Sequence, residues 1–177
     1  MQDDGEDRPV EASGNRIIVN AAVAKAEGNA KYEKKHWKTL TTWAEYLSKS
    51  GFDPANQLCT DDFAGHLDRN AKLSVKAIIG LDCYAQLAEQ VGYQPTAEKY
   101  RKSVREMVPK WIELADAGDH YALTFNNKNN WSEKYNRVWD KVLGLNLFPR
   151  SVYEKEVKFY LTKQNDFGLP LDSRQTY

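Results

Sequence analysis

Ala71-Lys72-Leu73-Ser74-Val75-Lys76-Ala77-Ile78-Ile79-Gly80-Leu81-Asp82-Cys83-Tyr84-Ala85-Gln86-Leu87 forms the middle of a segment, about residues 69–91, that stops at Gly92. Its apolar members Leu73, Val75, Ala77, Ile78, Ile79, Leu81, Tyr84 and Leu87 fall on most sides of a helix, not on one stripe. Such a helix belongs between neighbours, inside a protein. The flanking segments read differently. In about 30–50, Trp37, Leu40, Trp43 and Leu47 recur every three or four positions and mark one buried stripe. From Pro95 to about 117, Tyr100, Val104, Met107, Val108, Trp111 and Leu114 do the same, and Pro109 is expected to kink that helix.

Three further helices complete the reading: about 13–27 (Ile17, Ile18, Val19, Ala21 to Ala24), about 132–143 (Tyr135, Val138, Trp139, Val142) and Pro149 to about 164. Glycines just past the ends and prolines near the starts mark the boundaries. The first and third helices are apolar nearly all round, the second and fourth on one side only. That alternation of inner and outer predicts an all-α fold of antiparallel helical hairpins in two shells. No alternating stretch is long enough for a sheet, and no nucleotide-binding glycine loop is present.

The bulk numbers narrow the function classes. At 177 residues the chain is the size of one ordinary domain. Its 25 basic and 25 acidic residues cancel and are well mixed, so nucleic acid and anionic membrane are poor partners. No apolar run approaches the roughly 20 residues that cross a bilayer. No secretory signal is visible after Met1. Cys59 and Cys83 do not make a disulfide framework.

Four polar, aromatic-studded segments interrupt the helices: 9–15, 58–68, 118–121 with 131–136, and 165–174. Each is placed just before an odd-numbered helix, or where the next would begin. Short links make helices antiparallel, so alternate connections share one end of the array. All four segments are therefore expected on one face, whereas the links at the other end (Gly28-Asn29, Val91 to Pro95, Gly144 to Pro149) offer little chemistry. The sequence stops at Ser173 to Tyr177, before the helix that the last segment should introduce, and three hairpins make an open layer, so the chain reads as a fragment of a longer protein.

Asp61-Asp62, with His66 and Asp68 nearby, is the densest cluster. Paired carboxylates can divide general acid and base work because proximity pushes their pKa values apart; the same residues serve equally as helix caps or turn formers. Glu11 is a further candidate acid, or a charge at a helix N-terminus. Asp119-His120 is either an oriented imidazole or a structural hydrogen bond. Trp131 is a candidate stacking platform; Tyr135 and Trp139 have core spacing. Lys134, Lys141 and Arg174 could hold a carboxylate, or neutralise neighbouring acids such as Asp172. No metal site is expected, since His36, His66 and His120 have no ligand spacing, and no cofactor is implied. Asn130-Trp131-Ser132 matches the N-glycosylation pattern.

With these motifs in hand, the chain resembles the helical C-terminal domain of the glutaminase A family, of the six-hairpin glycosidase-like class. The resemblance rests on Pro9-Val10-Glu11-Ala12-Ser13-Gly14-Asn15, Gln57 to Leu67, Asp119-His120-Tyr121, Trp131 to Asn136, Val138-Trp139-Asp140-Lys141 and Gly168 to Arg174. The chain departs from the family pattern at Ala12, where a second Glu is usual, and at Pro109. The resemblance implies part of an (α/α) toroid-like array, a β-rich N-terminal region in the same parent chain, a secreted or periplasmic location, and hydrolysis of L-glutamine to L-glutamate and ammonia. Three readings stand side by side. An amidase would use Asp61 or Asp62 as general base and Lys134 or Arg174 as carboxylate anchor. A glycosidase would use two carboxylates and Trp131 beneath a sugar. A non-catalytic scaffold or carbohydrate-binding module would have its acids individually capped or paired.

Overall fold

The computed structural model describes residues 8–59 and 65–174. Among them are seven α-helices, α1 (Pro9–Glu27), α2 (Lys31–Lys35), α3 (Trp37–Ser50), α4 (Ala71–Gln90), α5 (Gln94–Ala115), α6 (Val138–Leu143) and α7 (Arg150–Leu161), with a 3₁₀ turn at Tyr135–Arg137. Only isolated bridges occur among the described residues, so the fold is all-α, built from helical hairpins.

α4 is the axis. It packs on α1, α3 and α5 and is buried along almost its whole length. Asn70 starts it: the side-chain carbonyl accepts from the N–H groups of Lys72 (2.9 Å) and Leu73 (3.3 Å), satisfying two donors that the first turn leaves open. α5 covers it from outside with Tyr100, Val104, Val108 and Trp111, and the Trp111 indole N–H reaches back to the Ala71 carbonyl at 2.9 Å. α3 covers another side, where Trp37 stacks on Tyr84 with ring centres 4.8 Å apart and Thr41 meets the Tyr84 hydroxyl at 2.7 Å.

Four expectations are corrected. α1 begins at Pro9, so the stretch 9–15 forms its first turns and is not a connection leading into it. α1 is not buried all round, because Val19 and Val23 are 53% and 39% exposed. The second predicted helix is two helices broken at His36, whose φ of −106° and ψ of 18° leave the helical region. The fifth starts late because residues 131–133 are extended: Glu133 N–H donates to Leu171 O at 2.8 Å and Ser173 N–H to Trp131 O at 2.9 Å, which commits those groups to a neighbouring segment. α5, by contrast, runs on through Pro109.

Candidate functional site

Three connections draw the polar segments to the first turn of α4. The Val10 N–H donates to the Gln57 side-chain carbonyl at 3.0 Å, tying the start of α1 to the loop before α4. That loop is closed by paired Gln57 and Leu67 backbone bonds of 3.3 and 3.1 Å. Ala71 N–H donates to Leu123 O (2.8 Å) and Phe125 N–H to Arg69 O (3.0 Å), joining the loop to the segment before the 3₁₀ turn. The Lys72 ammonium lies 4.1 Å above the Tyr135 ring. Residues 131–133 then pair with 171–173.

The charged groups in this region form two buried assemblies. In the first, Lys76 of α4 pairs with Glu11 of α1, and Asn15 donates to the same carboxylate at 3.0 Å. Lys76 is 1% and Glu11 4% exposed, and burial holds the Lys76 ammonium below the usual lysine range against the pull of Glu11. A β-carbon on Gly14 would stand 2.6 Å from Lys76 Cγ, and one on Gly80 3.5 Å from Gly14 Cα. These two glycines let α1 and α4 approach closely and make room for the lysine stem.

The second assembly turns on Glu156 of α7, 1% exposed. Its carboxylate accepts from Tyr121 N–H at 2.9 Å, from Arg137 Nη2 at 2.9 Å and from the Tyr160 hydroxyl, with Lys134 Nζ at 3.7 Å. Lys134 also donates to the carbonyls of Tyr121 and Ser132. Complete burial pushes its ammonium down to about 7. Burial, reinforced by the Glu156 charge, pushes the Tyr160 phenol up.

Against this geometry the candidate residues separate. Asp61 and Asp62 lie outside the described residues. Glu11 is at the converging end, committed to Lys76 and Asn15. His66 is exposed on the loop before α4. Lys134, expected as a carboxylate anchor, has its ammonium spent on Glu156 and two carbonyls. Asp172 and Arg174 are paired with each other, Arg174 Nε reaching the carboxylate at 2.8 Å. His120 bridges Asp119 (2.6 Å) and Asn130 O (3.1 Å) and stacks on Phe159 at 4.4 Å, stapling its loop to α7. That same bond holds the exposed Asp119 carboxyl below the usual range. Trp131 is 9% exposed, with Phe159 edge-on at 5.6 Å, so its ring is packed and offers no open platform. No cluster of three or more metal-ligating side chains occurs among the described residues.

Sequence reasoning missed Lys76, Lys72, Arg137, Glu156 and Tyr160. For the two lysines a signal existed: they interrupt a helix apolar on most sides, where an ammonium needs a buried partner. Glu156 carries no such mark, since α7 reads as an ordinary charged helix.

An all-α array of helical hairpins whose motif segments meet at one end defines a class of helical-hairpin domain. The profile of the glutaminase A six helical-hairpin domain matches residues 1–177, and the chain belongs to that family. It is 34% identical to glutaminase A of Aspergillus oryzae over 98% of its own length and 26% of that protein. It is 29% identical to a protein named probable glutaminase in Arthroderma benhamiae, over 83% of this chain and 20% of that one. The chain thus spans about a quarter or less of the curated relatives it matches.

Proposed function

We propose that this domain forms part of a hydrolase releasing ammonia from L-glutamine, with its reaction centre at the end where α1 and α4 begin. The observation that carries this is the convergence of the polar segments on that end, around the buried Glu11–Lys76 pair. Asn70 Nδ2 and Ser74 Oγ, also on α4, are buried with no hydrogen-bond partner among the described residues. Buried polar atoms without a partner are rare and call for one, which a bound substrate or water at this end would supply.

In this reading Asp61 or Asp62 takes a proton from water. The resulting hydroxide adds to the carboxamide carbon, the C–N bond breaks, and the proton passes to the departing nitrogen as ammonia. Glu11 acts as a positioning residue. It holds Lys76 in place at this end of α4. The name of the Aspergillus relative supports glutamine as substrate. The packed Trp131 ring weighs against a sugar.

The test is ammonia release from L-glutamine by the protein carrying this chain, beside its Asp62→Asn and Asp61→Asn variants. Release that collapses in one of the variants, with helical circular dichroism retained, is expected. No release from the parent, or equal release from both the Asp62→Asn and the Asp61→Asn variants, overturns the reading.

A further inference from the structure

Towards the far end of α4, away from the motif segments, a crease of about 400 Å³ lies between α4, α5 and the 144–149 connection. Asp82 of α4 lines it. The residue is 7% exposed, and its carboxylate has no hydrogen bond or ion pair among the described residues. The carboxylate thus faces the crease without a protein cation to hold it, and a charge so placed favours an opposite charge brought in by a ligand. Burial pushes its pKa up to about 6, opposed by Arg101 and Arg105.

The opposite charge lines the same crease without touching it. Arg105 is exposed and makes no ion pair among the described residues; Arg101 is engaged with Glu89. Pro109, one turn on, supplies no N–H to the Arg105 carbonyl, so an acceptor sits on this side of α5 as well. The third wall is apolar, from Leu145 and Leu147, and it is fixed in place. Asp140 accepts from Leu147 N–H (2.8 Å), Phe148 N–H (3.2 Å) and the Tyr153 hydroxyl, while Lys25 Nζ donates to Leu143 O at 3.0 Å. Asp140 lies in the Val138–Lys141 motif, which the proposed reaction does not use.

We propose that this crease binds a free aliphatic α-amino acid, its ammonium on Asp82, its carboxylate on Arg105 and its side chain against Leu145 and Leu147. A zwitterion fits because the acid and the guanidinium share one crease yet do not meet. An α-amino acid carries both charges on one carbon, so it offers the acid and the guanidinium each an opposite charge, and each gains a charge-assisted partner. The site is separate from the proposed reaction centre, and L-leucine, which has no carboxamide to hydrolyse, probes it independently.

The experiment is a backbone amide NMR titration of the chain with L-leucine, with isocaproate, which lacks the ammonium, and with isopentylamine, which lacks the carboxylate. L-leucine is expected to shift signals at Asp82, Arg105 and the 144–147 connection. Each single-charge analogue should bind about tenfold more weakly. Asp82→Asn and Arg105→Gln should each weaken L-leucine by about the same factor. Arg105 is exposed, so its variant keeps the test decisive even if Asp82→Asn perturbs the fold. No shifts in this region, analogues that match L-leucine, or unchanged binding by Arg105→Gln would overturn the proposal.

Discussion

Lys76 reaches Glu11 through the space that Gly14 leaves empty: a β-carbon at position 14 would stand 2.6 Å from Lys76 Cγ and 3.1 Å from Cδ. The two helices and the ion pair between them are thus fitted around one missing methyl group.

Gly14→Ala should therefore destabilise the protein although Ala is the better helix former. The propensity gain is about 1 kcal/mol, while overpacking costs about 1–3 kcal/mol, and here it also displaces the lysine from its carboxylate. Urea unfolding should show a lower midpoint. An equal or higher midpoint would mean that the stem moves aside freely.

Breaking the pair from one side should cost more than removing it. Lys76→Met takes the balancing charge from a buried carboxylate, which keeps its bond from Asn15, and should lose about 3 kcal/mol. The double variant Glu11→Gln with Lys76→Met should recover part of that loss. A double variant as unstable as the sum of the two single ones would argue that the groups act independently.

Asp82 makes the opposite prediction. Its folded pKa, about 6, stands above the usual 3.8. Between those values the native state holds more protons than the unfolded chain, so this group's contribution falls as pH rises and its penalty is complete above about 6. Asp82→Asn should therefore stabilise at pH 7, by about 3 kcal/mol, and the gain should shrink towards pH 4. Denaturation curves at the two pH values decide it.

Lys134 is depressed instead, to about 7 from 10.5. Above about 7 the unfolded chain binds the extra proton, so this group makes stability rise with pH up to about 10. Lys134→Met removes that term. Its stability should climb less between pH 7.5 and 9 than the parent's, and an identical slope would refute the assignment.

The helices that sequence places best are those whose burial is decided by apolar spacing. Leu73 to Leu87 were expected inside and are inside; Tyr100, Val104 and Trp111 form the stripe they were expected to form. The start of α1 was placed late because residues 9–15 carry few apolar side chains, whereas Pro9 opens the helix and the close approach of Gly14 to Lys76 packs its first turns. The expected gathering of the polar segments also holds for those within the described residues. Their internal chemistry was less readable. Lys134 and Trp131 looked available in sequence, and only the positions of Glu156 and Phe159, more than 20 residues away in the chain, turn them inward. Pairings at that separation leave no local pattern.

Asn130 has a consequence for how the chain is made. Its side-chain carbonyl accepts from Leu123 N–H (2.9 Å) and Thr124 N–H (3.2 Å), and its amide nitrogen donates to Thr124 Oγ1 at 3.0 Å. This is the residue of the Asn-Trp-Ser acceptor pattern. In the finished fold its amide is already spoken for, so a glycan would have to arrive before the loop closes. Once attached, it would leave the two carbonyl bonds and bear on the Nδ2 bond to Thr124. The order of the two events at this position is therefore fixed: modification, if it occurs, comes first.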